Sequence, residues 1–173
     1  MFWKFNEKAP WISCISDLLA DEAVQSMRAL PQHAPGVSCY HHSVLVSYLS
    51  YRICRRFGLD ARAAARGGLL HDLYLYNWLD KSTHPHCNHA FEHPLIALKH
   101  AKARFPITEK EADIIATHMF PLPLTRPYGC LESFVVSTAD KLCAVAELLR
   151  LVPHLTGPEE TATPCLSTPS VVK

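Results

Sequence analysis

The chain has 173 residues, 49% of them hydrophobic, with 17 basic and 16 acidic side chains and a formal net charge of +1. That size and composition suit one globular domain with a real core. The near-balance of charge argues against a dominant nucleic-acid surface, which needs a basic field, and no apolar run approaches the length of a membrane span. Eleven histidines are an excess whose simplest uses are metal ligation and proton transfer near neutral pH. The seven cysteines (Cys14, Cys39, Cys54, Cys87, Cys130, Cys143 and Cys165) are odd in number and include no Cys-x-x-Cys pair. The opening Met1-Phe2-Trp3-Lys4 meets charge at once and does not read as a signal peptide. Reduced thiols in a cytoplasmic protein are therefore expected.

Met1 to Pro10 reads as a loose arm carrying aromatics. Ser16 or Asp17 is placed to cap a first helix through Leu18, Leu19, Ala23, Val24 and Met27, ending before Pro31. Residues 31–36, with two prolines and a glycine, form a turn. A second helix begins near His41-His42-Ser43. Its apolar residues Leu45, Leu49, Ile53 and Phe57 recur every four positions, which predicts an inward stripe, and Gly58 ends it. His42 lies on the edge of that stripe. Asp60 is the expected N-cap of a third helix running to about Leu73, with Ala61, Ala64, Ala65 and Gly68 on a narrow face that lets another helix approach closely. That helix delivers Gly67-Gly68-Leu69-Leu70-His71-Asp72. An aspartate carried inward needs a partner or a metal.

A long polar loop follows, with His84, His86, Cys87 and His89, suited to the rim of an active site. A fourth helix is expected from about His93-Pro94 to Phe105. A fifth opens on the capping box Thr108-Glu109-Lys110-Glu111 and carries Ile114 and His118 on one face. A sixth runs from about Leu131 to Leu151 with Val136, Asp140 and Cys143 inward and Phe134, Val135, Leu142, Val145, Leu148 and Leu149 around them. No strand pattern and no internal repeat is visible. The fold class is therefore all-α, a helical bundle of about six helices. The domain spans residues 1–156, and the tail 157–173, rich in Thr, Pro and Ser, reads as disordered.

Six side chains at helix ends or on inward faces stand out: His42, His71, Asp72, His93, His118 and Asp140. Their order, with His42-Ser43, then Leu69-Leu70-His71-Asp72, then Ser137-Thr138-Ala139-Asp140-Lys141, resembles the HD superfamily of metal-dependent phosphohydrolases over about residues 36–150. The two middle histidines resemble those of its binuclear branch, and the overall pattern is similar to small bacterial HD proteins. The resemblance implies that His42, His71, Asp72 and Asp140 hold one metal, and that His93 and His118 hold a second with Asp72 bridging. It implies hydrolysis of a small phosphate ester, perhaps a nucleotide, by a hydroxide activated between two transition-metal ions. Imidazole and carboxylate suit Fe, Mn, Co, Ni or Zn alike. The expected partner is a small phosphorylated molecule, with no membrane and no nucleic acid.

One position departs from the family. Many phosphohydrolases of the superfamily carry a lysine three residues after the signature aspartate, where this chain has Leu75. Lys141 or Arg66 is the candidate replacement cation for gripping substrate, and His89 the candidate proton donor to the leaving group. The alternative reactions on the same ligands are those of the HD-type diiron oxygenases, which act on a polyol or a phosphonate. A non-catalytic metal- or ligand-binding sensor is a third. His84, His86 and Cys87 match no closed zinc motif and are expected to face solvent or substrate. His33, His100 and His154 are expected at the surface, although His33 lies close enough to the second helix to reach the pocket.

Overall fold

The computed structural model describes residues 10–151, and among them the regular elements are seven α-helices and two single 3-10 turns. The first helix, α1 (Pro10–Leu19), opens on a proline, whose missing N–H costs nothing at a helix start, and buries Trp11, Ile15 and Leu18. The single helix expected from Ser16 or Asp17 to Met27 is in fact two. The chain turns at Ala20, and Asp21 accepts the Ala23 N–H at 2.8 Å to start α2 (Glu22–Ser26). A local cap outcompetes continuation of the apolar repeat. Pro10 thus belongs to a helix. The remaining arm 1–9, the expected tail 157–173, His154 and Cys165 lie outside the described residues.

The packing of α3 (Cys39–Arg56) on α4 (Ala61–Leu70) sets the rest. Ser38 caps α3 by accepting the His41 N–H, and Asp60 caps α4 as expected by accepting the Ala63 N–H at 2.9 Å. The small face of α4 brings the backbones together: a Cβ added to Gly68 would lie 3.0 Å from Ser47 Cα. That closeness turns α3 away from its predicted orientation. Its fully buried row is His42, Val46, Ser47, Ser50 and Cys54; Leu45, Leu49 and Ile53 are only half-buried and Phe57 is exposed. Ser47 fits where a leucine does not, and its hydroxyl donates to the Ala65 carbonyl at 2.7 Å while accepting Trp11 Nε1 at 3.0 Å.

Around α4 lie α1, α3, α5 (His89–Arg104), α6 (Glu109–Thr117) and α7 (Leu131–Leu148). The expected capping box of α6 forms between Thr108 and Glu111. The same Glu111 carboxylate accepts Arg66 Nε at 2.8 Å, and Arg66 Nη1 donates to Asp17 at 2.7 Å and to the Cys14 carbonyl. Arg66 is fully buried in this clasp between α1, α4 and α6. The expectation that it grips substrate is corrected: two carboxylates hold it as a structural cation. The fifth helix of the chain, α5, starts four residues before the predicted His93, so Pro94 falls in its second turn. In α7 the buried positions are Glu132, Ser133, Val136, Ser137, Ala139, Asp140, Cys143 and Glu147. Phe134, Leu142, Val145, Leu148 and Leu149, expected around the core, are exposed. This helix is apolar on both sides, and only the side with small residues fits against its neighbours. No described helix is long and apolar enough to cross a membrane, and the six described cysteines are all free thiols.

Candidate metal centre

Five helices deliver the six side chains named from sequence to one buried cluster, with His71 and Asp72 directly after α4 and His118 directly after α6. All six are buried. His71 and His118 occupy the C-cap positions of their helices, so the negative ends of two helix dipoles face the cluster and favour a cation there. Asp72 stands between the histidines. Its Oδ2 lies 3.4 Å from His71 Nε2, while its Oδ1 lies 3.4 Å from His93 Nε2 and 3.7 Å from His118 Nε2. Asp140 Oδ1 lies 3.0 Å from His42 Nε2 and 3.6 Å from His71 Nε2. The side chains fall into two groups, or half-sites, His42–His71–Asp140 and His93–His118, with the Asp72 carboxylate reaching both; His71, Asp72 and His118 also converge closely enough to hold an ion.

The hydrogen bonds behind these rings fix which nitrogen faces inward. His71 Nδ1 donates to the Gly68 carbonyl at 2.9 Å, His93 Nδ1 to the His89 carbonyl at 2.6 Å and His118 Nδ1 to the Ile115 carbonyl at 2.9 Å. A carbonyl can only accept, so each Nδ1 carries a proton and each ring turns its Nε2 into the cluster. His71 Nε2 is buried with no hydrogen-bond partner. The Nε2 atoms of His93 and His118 meet at 3.0 Å. Two ring nitrogens that close, with both Nδ1 atoms already donating, call for a proton or a metal ion between them, and three imidazoles with two carboxylates are a fitting donor set for a transition metal.

The electrostatics agree. Burial opposes the charge of Asp72, but His71, His93 and His118 outweigh it and hold the carboxyl well below the usual range. His42 and His71 do the same for Asp140. Burial, then the neighbouring His71 and His93, push His118 down to about 3, so it offers a free lone pair at neutral pH. His42 differs. Burial disfavours its charge, yet Asp140 on Nε2 and Glu147 on Nδ1 push it up to about 10.

Residues that sequence reasoning passed over surround the cluster. Glu147 places both carboxylate oxygens at 3.0–3.1 Å from His42 Nδ1. It follows Asp140 by seven positions, two turns along the inner face of α7, and that spacing was a usable signal. Gln32 donates from Nε2 to Asp72 Oδ2 at 2.7 Å, and Tyr74 donates its hydroxyl to Gln32 Oε1 at 3.2 Å, which fixes the amide orientation. Nothing in the sequence singles out a lone glutamine in a proline-flanked turn. His33 is exposed and sets its ring edge-on to His42 at 5.7 Å. It borders a cavity of about 610 Å³ lined also by Gln32 and Trp78.

The remaining candidates sit at the edge. His89 is sandwiched between Trp78, 5.4 Å away, and His93, 4.5 Å away, with Nδ1 against the Tyr76 hydroxyl at 3.0 Å. Burial and then His93 push it down to about 4, so near neutral pH it is an uncharged imidazole. Lys141 is engaged by its own surroundings: its ammonium donates to Ser137 Oγ at 2.6 Å and to the His118 carbonyl at 3.0 Å. Ser137 also donates to that carbonyl and accepts the Tyr128 hydroxyl. Lys141 therefore holds the chain behind His118, which corrects its expected role as a substrate-gripping cation. Leu75, in the place of the family's lysine, packs against the apolar core at a φ of 60°. His84, expected to face solvent or substrate, is buried against Tyr76 with Nε2 on the Trp78 carbonyl. His100 is half-buried, its Nδ1 donating to the Leu73 carbonyl.

Residues 39–145 match the family model described as HD domain. No curated protein matches the chain.

Proposed function

Since the chain belongs to the HD-domain family, whose members are generally metal-dependent phosphohydrolases, we propose that it hydrolyses a small phosphate ester, such as a nucleotide, at a binuclear metal centre. The observation that carries this reading is the inward Nε2 atoms of His71, His93 and His118, two of them 3.0 Å apart, beside a carboxylate that reaches both half-sites. Bound there, two cations supply an activated water and neutralise charge on the phosphoryl oxygens.

The chain's own residues do the rest. Asp72, locked by the Gln32 amide, keeps one oxygen toward each half-site. His42, His71 and Asp140 hold one ion and His93 and His118 the other. Lys141 and Ser137 fix the backbone of His118. Trp78, His89 and His33 form an aromatic rim against which an organic leaving group rests. His89 contributes a neutral imidazole, able to pass a proton through the Tyr76 hydroxyl at 3.0 Å.

The test is hydrolysis of an aryl phosphate and a nucleotide panel with added Mn²⁺ or Co²⁺, alongside elemental analysis of protein purified without oxygen. Two metal equivalents and metal-dependent phosphate release support the reading. Protein that binds no metal under any supply refutes it. A second reading keeps the ligands and changes the reaction to dioxygen chemistry on a polyol or phosphonate. It is favoured by one observation: none of Leu75, Arg66 and Lys141 offers a cation to grip phosphate. Oxygen uptake with such a substrate, and no phosphate release, selects it.

A further inference from the structure

The four cluster histidines are not backed alike. His71, His93 and His118 each give their Nδ1–H to a neutral carbonyl three or four residues earlier in the chain. His42 gives its own to Glu147, a carboxylate 105 positions away on another helix and itself buried. A full charge behind an imidazole polarises its N–H more than a carbonyl does, raises the donor strength of the opposite nitrogen and fixes the ring. Taking the binuclear reading above as premise, we infer that Glu147 is a positioning residue acting through His42, and that it makes the His42–His71–Asp140 half-site hold its metal more tightly than the His93–His118 half-site does.

The geometry supports an energetic rather than merely architectural role. Both hydrogen bonds seen for the Glu147 carboxylate go to the one ring nitrogen. With Asp140 on the other side of the ring, His42 lies between two carboxylates. A third carboxylate, Asp72, reaches His71, so three negative groups lie within one or two contacts of the first half-site. The second half-site has Asp72 alone. A buried carboxylate without a cationic partner is costly, and a cation seated on His42 relieves that cost.

The probe is Co²⁺ added to the metal-stripped full chain in competition with a chelator. It is read by visible absorbance, in wild type, in Glu147→Gln, and with each in a His118→Ala background that leaves only the first half-site intact. Glutamine keeps the size and an acceptor for the His42 N–H but removes the charge. The expected result is a loss of Co²⁺ affinity of about 10- to 100-fold at the first half-site in Glu147→Gln. The weaker half-site should be unchanged, and the absorption band at saturation should keep its shape. Glu147→Leu serves as the structural control, and a fall in melting temperature confined to it fits the same inference. Equal Co²⁺ affinity in wild type and in folded Glu147→Gln overturns the inference while leaving the metal centre standing. Loss of equal size at both half-sites also overturns it. A stripped wild type that takes up no Co²⁺ overturns the functional reading and the inference with it.

Discussion

Gly68→Ala separates two opposed effects of known size. Within a helix, alanine is favoured over glycine by about 1 kcal/mol, and Gly68 lies inside α4. If its surroundings were open, the substitution would stabilise the protein. They are not open: the new Cβ would lie 3.0 Å from Ser47 Cα, 3.3 Å from Ser47 N and 3.5 Å from the Val46 carbonyl carbon. These are backbone atoms of α3, and no rotamer change moves them. The α3 backbone must give by a few tenths of an ångström, and overpacking of that kind costs roughly 1–3 kcal/mol. The net expectation is a loss of about 1 kcal/mol, or 2–4 °C in melting temperature for a chain of this size. Because His42 rides on α3 and His71 follows α4, metal affinity should fall as well. Urea and thermal denaturation of the stripped and loaded protein measure both. A variant more stable than wild type would refute the close approach of the two helices.

Asp72→Ala should empty both half-sites and abolish turnover, whereas His118→Ala should lose one metal equivalent of two; elemental analysis decides each, and full activity in Asp72→Ala refutes the bridging role. Arg66→Met leaves Glu111 buried without its partner and should cost about 3–5 kcal/mol, seen in denaturant unfolding, while turnover per folded molecule persists; a selective loss of turnover would return Arg66 to the substrate. Glu132 accepts the Asp60 N–H and the Lys110 ammonium; burial resists its ionisation, but these contacts outweigh it and pull the carboxyl from 4.5 down to about 2. Its folded value lies below its unfolded one, so the stabilisation, up to about 3 kcal/mol, is full above pH 4.5 and is lost as pH falls toward 2. Glu132→Gln should flatten the stability curve in that window, and an unchanged slope would mean that the carboxylate contributes nothing there.

The helices were legible where a local signal decides them. The Asp60 cap, the Thr108–Glu111 box and the small face of α4 all stand in the structure as their residues imply. Orientation was less legible. The four-residue spacing of Leu45, Leu49, Ile53 and Phe57 is a real helical period, but the side of α3 that turns inward is chosen by what α4 can accommodate, and that is a tertiary fact. On α7 the larger apolar residues lost to smaller ones for the same reason. Of the centre, the side chains whose lone pairs converge could be read in order, since His-Asp pairs and inward histidines are costly without a purpose. The groups one bond further out could not: Gln32 sits in a turn, and a buried amide has no pattern. Lys141 and Arg66 misled because charge beside a ligand suggests substrate, whereas each is consumed by backbone or by carboxylate close at hand.

The carbonyls that receive the His71 and His118 ring protons belong to the last turns of α4 and α6, where backbone acceptors are otherwise left over. Each of these rings therefore punctuates its own helix with one nitrogen and offers the other to the centre. A cysteine or an aspartate put in its place replaces the donor atom but leaves the helix end unsealed. Exchange of either imidazole for another ligand type should thus fray α4 or α6 even in metal-free protein, and stop signal and ligand can only be altered together.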